Sequence, residues 1–291
     1  MKSEKKNKRT IEDRLISWFI AGRFATTEPV LLKIARLKCE HLYADPTENP
    51  LISVCVPTYN RATLLVERAV SSVLSQTYKN LELIIVGDCC TDNTAELLSQ
   101  IDDPRLKFIN LSKRKRRYPV SVENHWFVGG AVPANKALGL AKGQWIARND
   151  DDDIWTPDHL ETLLRFAQKE NFEFVSASYI TERHGKRITV DAKDEKPRIG
   201  GVQTWLYRSY LKFMKYNPEC WRKSWNRVWD TDLQDRIYRA GVRMGFLDQV
   251  VAYVLPRPGE TTVGLEAYRL TEKEKLEHYK FDSNDERLDI K

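Results

Sequence analysis

Apolar and polar residues follow two different rhythms along this chain, and the change from one to the other marks its elements. Leu51-Ile52-Ser53-Val54-Cys55-Val56 is a short, nearly unbroken apolar run closed by Pro57, the pattern of a strand buried on both faces. Leu64, Leu65, Ala69, Val70, Val73 and Leu74 follow at helical spacing. A second buried strand, Leu81 to Val86, stops at Gly87-Asp88, and Asp92 is placed to cap a helix beginning near Thr94. Leu106 to Ile109 predicts a third strand. Asn135 to Lys142 predicts a helix stopped by Gly143, and residues 144–149 a strand. Thr156-Pro157 predicts the start of a helix over 157–169, ahead of a strand over 172–180. Strands alternating with helices indicate an α/β protein with a mainly parallel sheet and right-handed crossovers.

Outside this core the pattern loosens. Residues 11–40 predict one or two helices, with Ile11, Leu15, Ile16, Phe19 and Ile20 on one side and Val30, Leu31, Ile34 and Leu37 continuing. Lys33, Arg36 and Lys38 lie beside that second stripe. Such a basic amphipathic segment either rests on a membrane surface or packs on the domain or a second subunit, and the packing alternative is favoured. Residues 181–200 predict a turn and a loop. The aromatic-rich stretch 205–229 (Trp205, Tyr207, Tyr210, Phe213, Tyr216, Trp221, Trp225, Trp229) predicts mostly core, with two or three members lining a site. Leu233, Ile237 and Ala240 mark a helix ended by Gly241, Val250 to Leu255 a last strand, and Pro256 to Gly264 a loop. Residues 1–10 and the charged tail after about residue 270 predict disorder or fraying.

Composition narrows the classes. A chain of 291 residues, 42% hydrophobic and 30% charged, is long enough to bury a sizeable core. The net charge of +6 is concentrated in Lys2 to Arg9 and Lys113 to Arg117, runs that are ordinarily solvated. Five cysteines without metal-ligand spacing argue against a disulfide framework or a zinc site and for a reducing cytoplasm. No apolar run approaches the roughly 20 residues of a membrane span, and the N-terminus does not resemble a secretory signal.

The candidate chemistry centres on Asp150-Asp151-Asp152-Asp153. Neighbouring like charges raise each other's pKa values, and a hard cation such as Mg²⁺ or Mn²⁺ relieves that repulsion. In an extended segment Asp150 and Asp152 would face one side and Asp151 and Asp153 the other. The carboxyl ends of parallel strands share one edge, which collects Pro57-Thr58-Tyr59, Asp88 and the acidic run; ligands of α/β proteins bind there. There is no GxGxxG and no Walker A lysine loop, so metal-mediated diphosphate binding is the natural substitute. Asp150-x-Asp152-x-Ile154 lacks the third oxygen ligand and the glycine of a Ca²⁺ loop.

These stretches, taken in order, carry a family resemblance. Val56-Pro57-Thr58-Tyr59-Asn60-Arg61, Val86-Gly87-Asp88 with Thr91-Asp92-Asn93-Thr94, Ala141 to Ile146 leading into Asp150 to Leu160, and Asp230-Thr231-Asp232-Leu233 to Gly241 resemble glycosyltransferase family 2. The resemblance covers roughly residues 50–255. It implies a GT-A fold and transfer of a sugar, with inversion, from a nucleotide donor to a hydroxyl. The implied layout is a basic tail and helical extension over 1–49, a transferase domain over 50–265 (donor half 50–155, acceptor half 156–265) and a charged tail over 266–291.

Carried over by motif, Pro57, Thr58, Tyr59 and Asn60, with Asp88, Asp150 and Asp151, form the expected donor-binding set. Tyr59 is expected near the base and Asp88 on its N3–H, which favours a UDP-sugar. Asp152, the second acid of the DxD pattern, is the expected ligand of Mn²⁺ or Mg²⁺, and Asp230 the general base. Asp232 suits the cap of the following helix better, leaving Asp230 for chemistry. His159 is expected on a helix surface, and His125 and His184 have no evident partner. A carbohydrate or lipid-linked acceptor is implied; nucleic acid is not, and homo-oligomerisation stays open. Four departures stand out: Gly87 replaces an acid, Cys89-Cys90 replaces Gly-Ser, Arg148-Asn149 replaces apolar or small residues, and Trp229 replaces the glutamate that often precedes the base. A nucleotidyltransferase would carry a glycine-rich basic loop after the first strand. A glycosidase needs no nucleotide site, and a polyanion-binding scaffold would not crowd acids at its ligand edge.

Overall fold

The computed structural model describes residues 9–45, 49–113, 118–119, 121–223 and 228–275. The basic run before Arg9, residues 114–117, Trp225 and the tail beyond 275 lie outside them.

The apolar runs become a nine-stranded sheet whose order begins β3-β2-β1-β4. Here β1 is Ile52–Thr58, β2 Leu81–Gly87, β3 Leu106–Asn110 and β4 Trp145–Arg148, all parallel. Both faces are covered, which explains the unbroken apolar sequence of β1 and β2. Ile84 and Val86 face a core built with Ala131, Ala134 and Leu138; Leu83 and Ile85 face the opposite core with Leu65, Ala69, Leu160 and Leu164. The helices involved are α2 (Ala62–Leu65), continuing through a π turn into α3 (Ser71–Leu74), then α6 (Ala131–Leu140) and α7 (His159–Lys169). Short α4 (Thr94–Ser99) and α5 (Val122–Val128) complete the first half.

Beyond β4 the sheet becomes mixed. β8 (Leu206–Arg208) pairs antiparallel with β4, β6 (Phe174–Arg183) antiparallel with β8, and β9 (Met244–Val254) parallel with β6. β5 (Asp153–Trp155) closes the order against β9. β7 (Lys186–Val190) hairpins back onto β6 through His184-Gly185, both at positive φ as a tight two-residue turn requires. Residues 181–190 are therefore sheet rather than the expected loop.

Other boundaries move for identifiable reasons. Helix α6 begins at Ala131, ahead of the expected Asn135, because Pro133 sits in its first turn, where the missing N–H is tolerated. Helix α7 begins at His159, not 157, because Thr156 still pairs with β9: its N–H donates to the Val251 carbonyl at 3.0 Å. His159 is fully buried, not on the surface. Its Nδ1 lies 2.8 Å from the Val251 oxygen, and its ring stacks on Trp155 with centroids 3.8 Å apart.

The N-terminal segment is one helix, α1 (Ile11–Cys39), continuous through Pro29. It packs on the domain mainly by its polar residues, with Leu32 buried in the core beside them. Asp13 pairs with Arg222, Glu28 with Arg236, and Arg36 donates two hydrogen bonds to the fully buried Glu173 at 2.7 and 2.5 Å. Arg236 belongs to α8 (Trp229–Ala240), ended by Gly241 in the left-handed region. Helix α9 (Leu265–Lys275) packs on α5. The expected boundary between 265 and 266 thus falls inside a helix, whose Ala267 is buried.

Candidate active site

The register of the parallel strands assembles the ligand edge. Thr58 pairs with Gly87, and Cys55 with Arg148, so the chain segments after β1, β2 and β4 emerge side by side. The Asp88 N–H donates to the Thr58 carbonyl at 2.9 Å, joining the first two segments. A Cβ on Gly87 would stand 2.7 Å from Asn110 Oδ1 and 2.9 Å from Cys90 Sγ, so an acid at that position has no room. Asn60 accepts from the Thr91 N–H at 2.8 Å and donates to its hydroxyl at 3.1 Å, tying the loop after β1 to the loop after β2. Asn93, not the expected Asp92, is the N-cap of α4; Asp92 Oδ1 accepts from the Thr94 N–H at 3.2 Å from one residue further out, and Oδ2 from the Ala62 N–H at 3.1 Å.

One cavity of about 550 Å³ is lined by Pro57, Thr58, Tyr59 and Asn60, by Asp88, by all four of Asp150 to Asp153, and by Asp230. The acids do not divide between two sites. Asp151 and Asp152 form a turn between β4 and β5 instead of an extended segment, so the strict alternation of a strand does not apply.

Their partners differ. Asp150 Oδ1 accepts from Arg148 Nη2 at 2.9 Å; Arg148 is fully buried and Asp150 33% exposed. Asp151 accepts from the Thr58 hydroxyl at 2.8 Å and from Arg61 Nη1 at 2.7 Å. The same Arg61 nitrogen reaches Asp152 Oδ2 at 3.4 Å, and Arg61 Nη2 donates to the Tyr268 hydroxyl at 3.0 Å. Burial pushes the Asp150 carboxyl up to about 6 against the pull of Arg148, with Asp152 and Asp230 adding to the rise. Burial and neighbouring acids also raise Asp152 and, more strongly, Asp153. Among the described residues, no three or more His, Cys, Asp or Glu side chains are gathered in a geometry ready to hold a metal. The donor set is nonetheless hard carboxylate oxygen carrying unrelieved repulsion, which fits a divalent ion such as Mg²⁺ or Mn²⁺.

Asp230 sits in the first turn of α8, its Oδ1 accepting from the Thr231 N–H at 2.7 Å. Burial raises its pKa; the Thr231 N–H and the Arg148 charge oppose the rise. Asp232 does not cap the helix. It is fully buried between Lys223 and Arg236, with Arg236 Nε donating at 3.0 Å. This leaves Asp230 as the carboxylate of the pair that lines the cavity.

The remaining wall was not legible in the sequence. Among the described aromatic residues of 205–229, Trp229 lines the cavity; Trp205, Tyr207, Tyr216 and Trp221 belong to the core. Gly130 gives Trp229 its place, since a Cβ there would stand 2.6 Å from the indole. His125, whose Nδ1 lies 2.8 Å from the Tyr118 hydroxyl, and Trp126 line the cavity from α5. Arg257, Glu260 and Tyr268 line it from the C-terminal end, and the Arg257 guanidinium stands 5.0 Å from the Tyr268 ring centre. Arg61 also lines the cavity, and its place beside Asn60 after β1 is the signal the sequence offers for it. Burial pushes the Cys90 thiol up, which opposes a low-pKa redox role.

A curled α/β sheet with an acid-bearing cavity at the carboxyl ends of its parallel strands is the GT-A architecture. The chain belongs to glycosyl transferase family 2, whose family model matches residues 53–237. It is 38% identical over 123 residues to the putative colanic acid biosynthesis glycosyl transferase WcaA of Escherichia coli K12, covering 42% of this chain and 39% of that protein. It is 37% identical over 132 residues to the putative teichuronic acid biosynthesis glycosyltransferase TuaG of Bacillus subtilis, covering 45% and 47%. A glucosyltransferase of E. coli, WfaP, named for transfer from UDP-Glc to α-D-GlcNAc-diphosphoundecaprenol, is 32% identical over 133 residues, covering 46% and 47%. The matched stretch spans less than half the length of each relative.

Among solved structures, residues 1–349 of Staphylococcus aureus TarS with UDP-GlcNAc superpose with a TM-score of 0.57 at 21% identity, over 72% of this chain and 60% of that one. The Pyrobaculum calidifontis mannosyltransferase PcManGT with GDP-Man and Mn²⁺ gives 0.53 at 18%, over 81% and 70%. Both likenesses are of fold.

Proposed function

We propose that this chain is an inverting glycosyltransferase. It takes a sugar from a nucleoside-diphosphate donor, a UDP-sugar in preference, to a hydroxyl of a carbohydrate or lipid-linked acceptor in polysaccharide or glycolipid synthesis. The observation that carries the reading is the single cavity in which Pro57 to Asn60, Asp88, Asp150 to Asp153 and Asp230 meet. Two relatives named as putative glycosyltransferases of colanic acid and teichuronic acid biosynthesis, and one named for a diphosphoundecaprenol acceptor, support the substrate class.

The residue roles are those the family resemblance implies, and the chemistry of the side chains is consistent with them. Tyr59 and Asp88 hold the base, Asp88 as acceptor for a uracil N3–H. Asp150 and Asp151, held by Arg148 and by Thr58 with Arg61, shape the ribose and diphosphate region. Asp152, with Asp150 beside it, would hold Mg²⁺ or Mn²⁺, which when bound neutralises charge on the diphosphate leaving group. Asp230 accepts the acceptor's hydroxyl proton as that oxygen bonds to the anomeric carbon and the bond to the diphosphate breaks. Burial raises its pKa, which makes it a stronger base than an exposed aspartate. The three functional parts therefore reproduce a nucleotide grip, an acid cluster for the diphosphate and a base for the acceptor.

Calorimetric titration of UDP and GDP, each with Mn²⁺, Mg²⁺ or EDTA, tests this. Metal-dependent UDP binding is expected. Binding of GDP alone would overturn the uracil assignment of Asp88, and binding of neither would overturn both donors named here.

A further inference from the structure

Helix α1 is mounted in reverse. A helix on a soluble domain ordinarily turns its apolar stripe inward and its charges outward. Here Asp13 and Glu28 are buried against Arg222 and Arg236, while Ile11, Leu15, Trp18, Phe19, Val30 and Leu37 are exposed. Trp18 is 76% and Phe19 67% exposed. Inward ion pairs anchor the helix together with the buried Leu32, and the exposed apolar side chains are left facing outward.

We propose that this face of α1 seats the protein on an anionic lipid surface. Two observations select lipid over another occupant. First, the side chains combine an indole and a phenyl ring with aliphatics, along a helix of about 43 Å at 1.5 Å per residue. Exposed side chains of that kind can enter the plane of a membrane interface, and no described helix is long and apolar enough to cross a membrane. Second, the exposed charges of α1 are one acid, Glu12, against Arg14, Arg23, Lys33 and Lys38. Turning Asp13 and Glu28 inward leaves the outer surface cationic, complementary to anionic headgroups. A second copy docked on the same face would oppose like charge to like.

The residues leading into α1 also touch a helix of the cavity wall. Arg9 Nη2 donates to Asn124 Oδ1 at 3.0 Å, on the helix that places His125 and Trp126 in the cavity wall. Seating α1 on lipid thus holds that wall at the bilayer, where a lipid-linked acceptor presents its sugar. This use of the surface rests on the transferase reading above; the binding itself does not.

Flotation of the full chain with vesicles tests the proposal, using phosphatidylcholine alone and an equal mixture with phosphatidylglycerol. The chain is expected to float with the anionic vesicles and to release as salt rises. Trp18→Glu/Phe19→Glu is expected to lose about tenfold or more in partitioning, and Lys33→Glu/Lys38→Glu to lose the preference for phosphatidylglycerol. Retained UDP binding in each variant shows that the fold is intact. A wild-type chain that stays with the unbound fraction, or a Trp18→Glu/Phe19→Glu variant that floats equally, would overturn the proposal. So would sedimentation showing a wild-type dimer that this variant turns into a monomer, which assigns the face to a second copy. Flotation without UDP binding would leave the membrane surface standing and count against the nucleotide reading alone.

Discussion

The guanidinium of Arg148 lies 5.2 Å from the centre of the Trp229 ring. They lie 81 residues apart in sequence, Arg148 fully buried at the end of β4 and Trp229 at the start of α8 on the cavity wall. Arg148 also donates to the Cys55 and Asn149 carbonyls at 2.7 and 2.6 Å and lies 5.8 Å from the Tyr216 ring centre. Removing it strands several acceptors as well as Asp150.

Arg148→Met is therefore expected to destabilise the protein by roughly 1–3 kcal/mol, the cost of leaving buried acceptors unpaired. A denaturation double-mutant cycle with Trp229→Leu is expected to return a coupling of about 0.5–2 kcal/mol for the cation–ring contact. Strict additivity would show that the two residues merely adjoin.

Asp230→Asn keeps the side-chain shape and removes the base. Donor binding by calorimetry is expected to stay within error of wild type while the transfer rate falls about 10²–10⁴-fold. Because a base acts in its ionised form and burial raises this carboxyl, the wild-type rate is expected to fall as pH drops through the raised pKa. Full transfer by the variant would exclude Asp230 as the base.

Asp152→Ala is expected to abolish the metal dependence of donor binding. It also removes one of the mutually repelling acids, so the metal-free variant is expected to melt no lower than the wild type. Thermal melts with and without Mn²⁺ check both statements, and a variant still stabilised by Mn²⁺ to the wild-type extent would place the ion elsewhere.

His159 supplies a pH dependence far from the chemistry. Burial depresses its pKa from 6.5 to about 3, so the folded protein holds it neutral while the unfolded chain protonates. Its contribution to stability is complete above pH 6.5 and is lost progressively as pH falls toward 3. In urea titrations across that window, His159→Phe is expected to flatten the acid decline, retaining a ring to stack on Trp155. An unchanged slope would show that other groups govern the decline.

Much of this was legible from local pattern. The buried strands β1, β2 and β4 are written as unbroken apolar runs because both faces of a covered sheet exclude water. Their shared polarity then predicts that Thr58, Asp88 and the acidic run meet, and the cavity lined by them all agrees. Asn60, Asp92 and the acids lie next to elements whose type the sequence announces, so their neighbourhood follows from chain order.

What tertiary structure alone decided are the pairings between distant segments. No periodicity tells that Arg148 will stack on Trp229, that Gly130 will clear space for that indole, or that Arg61 will bridge Asp151 and Tyr268. The inverted mounting of α1 is of the same kind. Its sequence carries apolar stripes that argue for burial, and the choice of face was made by Arg222, Arg236 and Glu173, whose positions depend on the folded domain. A carboxylate taken from water needs a partner, whereas an apolar side chain is tolerated at a surface. The ion pairs therefore set the orientation of the helix, and the partners that form them are brought together only by the completed fold.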